Sequence, residues 1–148
     1  ILRFFTLNSV DVYNSDKKKI SLKQAMNKFM QSNMNATGES VADMENEFCT
    51  TIHFIFTHLG EEAFFNLQND LSKIRRRLYP TVYDSIMIAT SIALKQGGHI
   101  QTENLKEKRI ALLKDADYRE SITQGTMKTE NIRTRISLAL RYLYDIEL

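Results

Sequence analysis

Residues 80–96 read Pro80-Thr81-Val82-Tyr83-Asp84-Ser85-Ile86-Met87-Ile88-Ala89-Thr90-Ser91-Ile92-Ala93-Leu94-Lys95-Gln96, and the fold turns on this stretch. Between Val82 and Leu94 only Asp84 is charged, and apolar residues fall on nearly every face, the pattern of a helix surrounded by other helices. Pro80 breaks whatever precedes it, Thr81 offers a hydroxyl cap, and Asp84 supplies a first-turn carboxylate. Gly97-Gly98 ends the segment. Its roughly 13 apolar positions fall short of the ~20 that cross a bilayer, so Val82 to Gln96 is expected to be the central helix of a globular bundle with no membrane span.

Downstream, Thr102 and Glu103 open a charged helix that runs to about Lys114, and a short segment around Tyr118 to Ile122 leads to Gly125. Thr129 then caps a last helix whose buried stripe is Ile132, Ile136, Ala139, Leu140 and Leu143. Upstream, Ala63, Phe64, Leu67, Leu71, Ile74 and Leu78 hold helical spacing, which predicts one or two further helical pieces over Glu61 to Arg77. Ser40 is a candidate cap for a long helix with the stripe Val41, Met44, Phe48, Ile52, Ile55 and Leu59, ending at Gly60. A polar stretch from Asn8 to Lys19 reads as a loop. It precedes the capping-box pattern Ser21-Leu22-Lys23-Gln24, and Leu22, Ala25, Met26, Phe29 and Met30 follow on one helical face.

The totals agree with this reading. A chain of 148 residues fits one domain, which buries roughly two-thirds of the surface its unfolded form exposes. One proline and five glycines are few for a protein of many short strands. The expected architecture is an all-α, irregular bundle of about five to seven helices in a single domain over residues 1–148. Cys49 is the only cysteine, so no internal disulfide forms, and without a secretory leader the chain reads as cytoplasmic. The sequon Asn35-Ala36-Thr37 is then incidental.

A net charge of +2 conceals segregation along the chain. Residues 1–37 hold six Lys or Arg against two acids, residues 38–70 hold seven acids and no Lys or Arg, and Lys73, Arg75, Arg76 and Arg77 follow at once. That excludes a uniformly basic nucleic-acid binder and predicts an acidic surface flanked by basic segments.

Each chemical constellation competes with a plainer reading. Cys49 and His53, i and i+4 with Glu45 on the same face, resemble the start of a zinc site, but two ligands do not make one, and a partly buried pair flanking the core is favoured. His58 with Glu61 and Glu62 sits where a helix C-terminus favours a cation. His99 reads as a solvated loop residue. Asp115, Asp117 and Glu120 lack the remaining ligands of a calcium loop and read as a solvated helix end. Arg75, Arg76 and Arg77, followed by Tyr79, could contact phosphate with an aromatic to stack on, and Lys17, Lys18 and Lys19 extend the patch if folding joins them. A solvated or internally paired run is favoured because the neighbouring segment is acidic. No nucleophile elbow, phosphate-binding loop or dinucleotide motif occurs, so no catalytic, cofactor-binding or metal-ligating residue is assigned.

Three pieces together resemble the helical second half of the GmrSD-type restriction proteins, a bacterial phage-defence family that begins with a ParB-like NTP-processing domain. Ile1-Leu2-Arg3-Phe4-Phe5-Thr6-Leu7 is similar to the family's LRFFAL helix, and Leu22 to Met30 to the helix after it. Tyr118 to Ile136 resembles the family's aromatic residue, then Thr126, then the Arg135-Ile136 pair. Pro80 departs from the pattern, which has a residue such as Asn there. The resemblance implies a fragment of a longer chain, with the ParB-like half and its nucleotide loop upstream of Ile1 and any His-Asn-His nuclease beyond Leu148. It implies a non-enzymatic helical region without a cofactor, packing on the ParB-like half and coupling it to DNA cleavage elsewhere. Leu2, Phe4 and Phe5 are the expected interdomain contacts, and an apolar patch there is expected to cause self-association. The alternatives from the residues themselves are a nucleic-acid-binding helical module using Arg75 to Arg77 and a freestanding protein-interaction adaptor.

Overall fold

A computed structural model of the chain describes residues 1–9, 16–97 and 100–147. Its elements in chain order are α1 (Leu2–Ser9), α2 (Leu22–Ser32), α3 (Gly38–Leu59), β1 (Phe65–Leu67), β2 (Ile74–Leu78), α4 (Pro80–Lys95), α5 (Leu105–Lys114), α6 (Ala116–Thr123) and α7 (Thr129–Tyr144). Seven helices among the described residues and one small hairpin make an irregular, mostly helical bundle. None of these helices is long and apolar enough to cross a membrane.

The helix α4 is the axis of the bundle, packed against α7, α3 and α1. Val82, Ile86, Met87 and Ala89 are fully buried, and so are the polar residues Asp84, Ser85, Thr90 and Ser91. Those polar groups are not stranded, because each finds a partner on a neighbour. The Thr81 hydroxyl donates to the Ile122 carbonyl at 3.0 Å, Ser85 and Tyr118 share a hydroxyl contact of 2.6 Å, and Thr90 and Tyr144 share another of 2.6 Å. Ser91 donates to Glu47 Oε1 at 2.7 Å. In this way α4 hooks α6, α7 and α3 through hydroxyls spaced around its circumference, while its apolar residues fill the spaces between.

Helix starts follow capping chemistry, sometimes a few residues from where the sequence suggests. Ser21 caps α2 by accepting from the Gln24 backbone at 3.4 Å. The cap of α3 is Thr37 and not Ser40, with Gly38 inside the first turn. Pro80 itself occupies the first turn of α4, where its missing N–H has no intrahelical role. Asp115 caps α6 through the Tyr118 backbone at 2.9 Å, so it serves as a helix cap in the Asp115, Asp117 and Glu120 cluster.

The segment from Glu61 to Arg77 is not helical. It forms an antiparallel hairpin, with Phe65 opposite Leu78, Asn66 opposite Arg75 and Leu67 opposite Ile74. The helical spacing of its apolar residues loses to turn chemistry. Asp70 accepts from the Ser72 backbone at 3.1 Å and from its hydroxyl at 2.8 Å, and Leu71 takes a left-handed φ of 60°. A tertiary clamp adds to this, since buried Arg109 of α5 donates to the carbonyls of Glu62, Ala63 and Phe65, which a helix continuing to Arg77 would need for its own backbone bonds.

The segment before α2 is tied to the far end of the chain. The Ile20 N–H donates to the Met127 carbonyl at 2.9 Å, the Thr129 N–H to the Lys18 carbonyl at 3.2 Å, and the Thr129 hydroxyl to the Lys17 carbonyl. Lys19 and Lys128 therefore face each other across an isolated antiparallel bridge.

Candidate functional site

The central charge of the core is Asp84, which lies one turn into α4 and is 1% exposed. Arg3 of α1 grips it with two hydrogen bonds, Nε to Oδ1 and Nη2 to Oδ2, each 2.5 Å, the bidentate geometry that carboxylates favour. Arg135 of α7, 0% exposed, places Nη2 at 3.5 Å from Oδ2 and turns Nη1 to the Thr126 carbonyl at 2.6 Å. Its Nε is buried without a partner. Burial pushes the Asp84 carboxyl up, and the hydrogen bonds and charges of Arg3 and Arg135 pull against it. Tyr118, wholly buried beside this group, is pushed up to about 12 by the same loss of solvent. The cluster joins α1, α4 and α7, with Asp84, Arg135 and Tyr118 enclosed and Arg3 reaching in from the surface. Sequence reading singled out Asp84 only as a first-turn carboxylate, although a lone charge in an apolar helix already required a buried cation elsewhere.

The residues with surface to offer lie elsewhere. The stripe expected on α3 splits in two: Ile55 and Leu59 are buried against the bundle, whereas Val41 is 49% exposed, and Phe56, outside the stripe, is 60% exposed. Cys49 and His53, expected to flank the core, stand exposed on the outer face. Two apolar grooves meet at Cys49. One, of about 920 Å³, runs along the C-terminal half of α3 past Ile52 and Phe56 to Phe64. The other, of about 500 Å³, lies between α1, α2 and α3 and is lined by Ile1, Phe5, Phe29 and Val41. Of the expected interdomain residues, Phe4 is a correction: it is 0% exposed, edge-on to Phe5 and Phe48, and has no surface left for another domain. Phe5 and Leu2 are partly buried, and Phe5 stacks on Phe29.

Arg75, Arg76 and Arg77 fall on β2, where alternation sends Arg75 and Arg77 to one side and Arg76 to the other. Arg76 approaches Glu62 at 4.0 Å, an exposed pair, while Arg75 and Arg77 have no ion pair among the described residues. Arg75 instead lines a polar cleft with Tyr79 and Arg119. His58 packs at a tilt against Phe54 in the last turn of α3, and His99 lies outside the described residues. Among the described residues, no group of three or more His, Cys, Asp or Glu is placed to hold a metal ion. No protein-family model, curated protein or solved structure matches the chain.

Proposed function

We propose that the chain is the non-catalytic helical region of a GmrSD-type bacterial defence protein, packing on a ParB-like NTP-processing half and coupling it to DNA cleavage by another domain. One observation carries the reading. Positions from two of the three stretches that carry the family resemblance meet at Asp84 and beside it: Arg3 and Arg135 contact its carboxylate, Arg135 also donates to the Thr126 carbonyl, and Tyr118 shares a hydroxyl contact with the neighbouring Ser85, although Arg3 and Asp84 are 81 residues apart. Scattered motifs that converge on one buried cluster are what a shared fold requires. Unrelated surface residues would have no reason to converge. The docking surface in this reading is the groove of Ile1, Phe5 and Val41, because a ParB-like half would join the chain beside it.

The test is twofold. The gene's reading frame upstream of Ile1 should encode a ParB-like domain with its Gln-Arg loop, and that domain, expressed separately, should bind this one in a way that Val41→Asp weakens. An upstream region of another kind, or one that ignores the domain in trans, would end the proposal.

A further inference from the structure

Two clefts flank the turn between α6 and α7, and both are basic. The first, of about 390 Å³, lies between the hairpin and α6. Arg75 and Arg119 line it beside the ring of Tyr79 and the amides of Asn66, Gln68 and Gln124, with Glu120 as the one carboxylate. The second, of about 710 Å³, is lined by Lys17, Lys19 and Lys28, the ring of Phe29 and the amides of Gln24 and Asn33, with no carboxylate. The ridge between them is the turn from Gln124 to Lys128. Gln124 lines the first cleft, Lys128 is bridged to Lys19 of the second, and the Lys128 side chain folds over Gly125. The Asn131 amide fixes that turn by donating to the carbonyls of Gln124 and Gly125, at 2.6 and 3.2 Å. Folding thus sets Arg75 and Lys19, more than fifty residues apart in sequence, on the two sides of one turn, while the acids of residues 39–47 remain on α3.

We infer that this track, from Arg75 and Arg119 across Lys128 to Lys19 and Lys28, is a binding site for single-stranded nucleic acid. The cations supply phosphate contacts, which are sequence-independent. Charge alone would suit any polyanion. Each cleft also sets carboxamide donors next to its cations, and the first adds the ring of Tyr79, the combination that stacks an unpaired base and meets its edge, while the ring of Phe29 in the second has one face on Phe5. A base paired in a duplex has its faces stacked and its Watson–Crick edge occupied, so the ligand is a single strand.

The experiment uses the whole chain and a fluorescein-labelled 12-nucleotide oligothymidylate, with binding followed by anisotropy between 50 and 300 mM NaCl. The expected result is a linear fall of log affinity with log salt. Arg75→Ala with Arg119→Ala, and separately Lys19→Ala with Lys128→Ala, should each make the salt slope shallower by about 1.4, two phosphate contacts at ~0.7 each. Tyr79→Leu should weaken binding roughly fivefold or more and leave the slope unchanged, with Tyr79→Phe close to wild type, because stacking survives the loss of the hydroxyl. Thermal melts by circular dichroism confirm that each variant is folded. The inference is overturned by no binding at 50 mM NaCl, by equal affinity for a duplex or for polyglutamate, or by a slope that responds to only one of the two basic pairs.

Discussion

Arg109 and Arg135 are 3% and 0% exposed, yet they do different things with the same side chain. Arg109 donates to backbone carbonyls of the segment leading into β1, whereas Arg135 divides its donors between carbonyls and the Asp84 carboxylate. Removing Asp84 would leave Arg135 buried without a counter-charge, and breaking a buried pair in this way costs about 3–5 kcal/mol. Asp84→Asn is therefore expected to lower the urea midpoint far more than Arg3→Met, since Arg3 keeps 26% of its side chain in solvent. Equal losses in the two variants would show that Arg135 does not depend on the carboxylate. The tyrosines give a second expectation. Burial pushes both Tyr118 and Tyr144 up to about 12. An unfolded tyrosine titrates near 10, so the folded state holds its phenolic protons through that window. Stability is then complete below about pH 10 and is lost as pH rises towards 12. Absorbance at 295 nm should show two tyrosines ionising together with the loss of helical dichroism, and ionisation of every tyrosine at about pH 10 with the fold intact would refute it.

The hairpin and the central helix show where local sequence suffices and where it does not. Helical periodicity identifies α4 and α7 because their burial follows the same repeat as their residues: Ile132, Ile136, Ala139, Leu140 and Leu143 are all buried. The same rule misleads over residues 63–78, whose apolar spacing satisfies a helix while Asp70, Leu71 and Ser72 make a turn and Arg109 holds three carbonyls from afar. Nothing local announces a clamp supplied by a side chain 44 to 47 residues downstream. The joining of Lys19 to Lys128 was equally out of reach, since it depends on backbone bonds between distant segments. Arg109→Met should free the carbonyls of Glu62, Ala63 and Phe65 and loosen the hairpin ahead of the helices. Amide exchange over residues 63–78 is expected to accelerate with α7 still protected, and uniform acceleration across the chain would place Arg109 in the global core instead.

At the scale of the molecule, the bundle is closed around α4 but leaves apolar surface on one flank. Ile1, Met34, Val41 and Phe56 are 72%, 77%, 49% and 60% exposed, and all four lie on or beside α1, α2 and α3. Contiguous apolar surface is uncommon on a monomer and marks a place where another protein packs. Without that protein the chain should associate with itself. Sedimentation velocity should show a concentration-dependent dimer that the pair Val41→Asp and Phe56→Asp abolishes, and a strict monomer at high concentration would refute the expectation.

The bonds that tie Lys17, Lys18 and Ile20 to Met127 and Thr129 also set a timetable for synthesis. Thr129 follows Lys17 by 112 residues, and Asp84 follows Arg3 by 81. A ribosome adding roughly 5–20 residues per second takes on the order of ten seconds to cover the longer interval. Until Asp84 is made, 81 residues on, Arg3 is without its carboxylate, and Lys17, Lys18 and Ile20 wait longer still for Met127 and Thr129. Among the elements described, α1 and α2 are thus made before the segments that fasten them, and a nascent-chain chaperone would find its binding segment there.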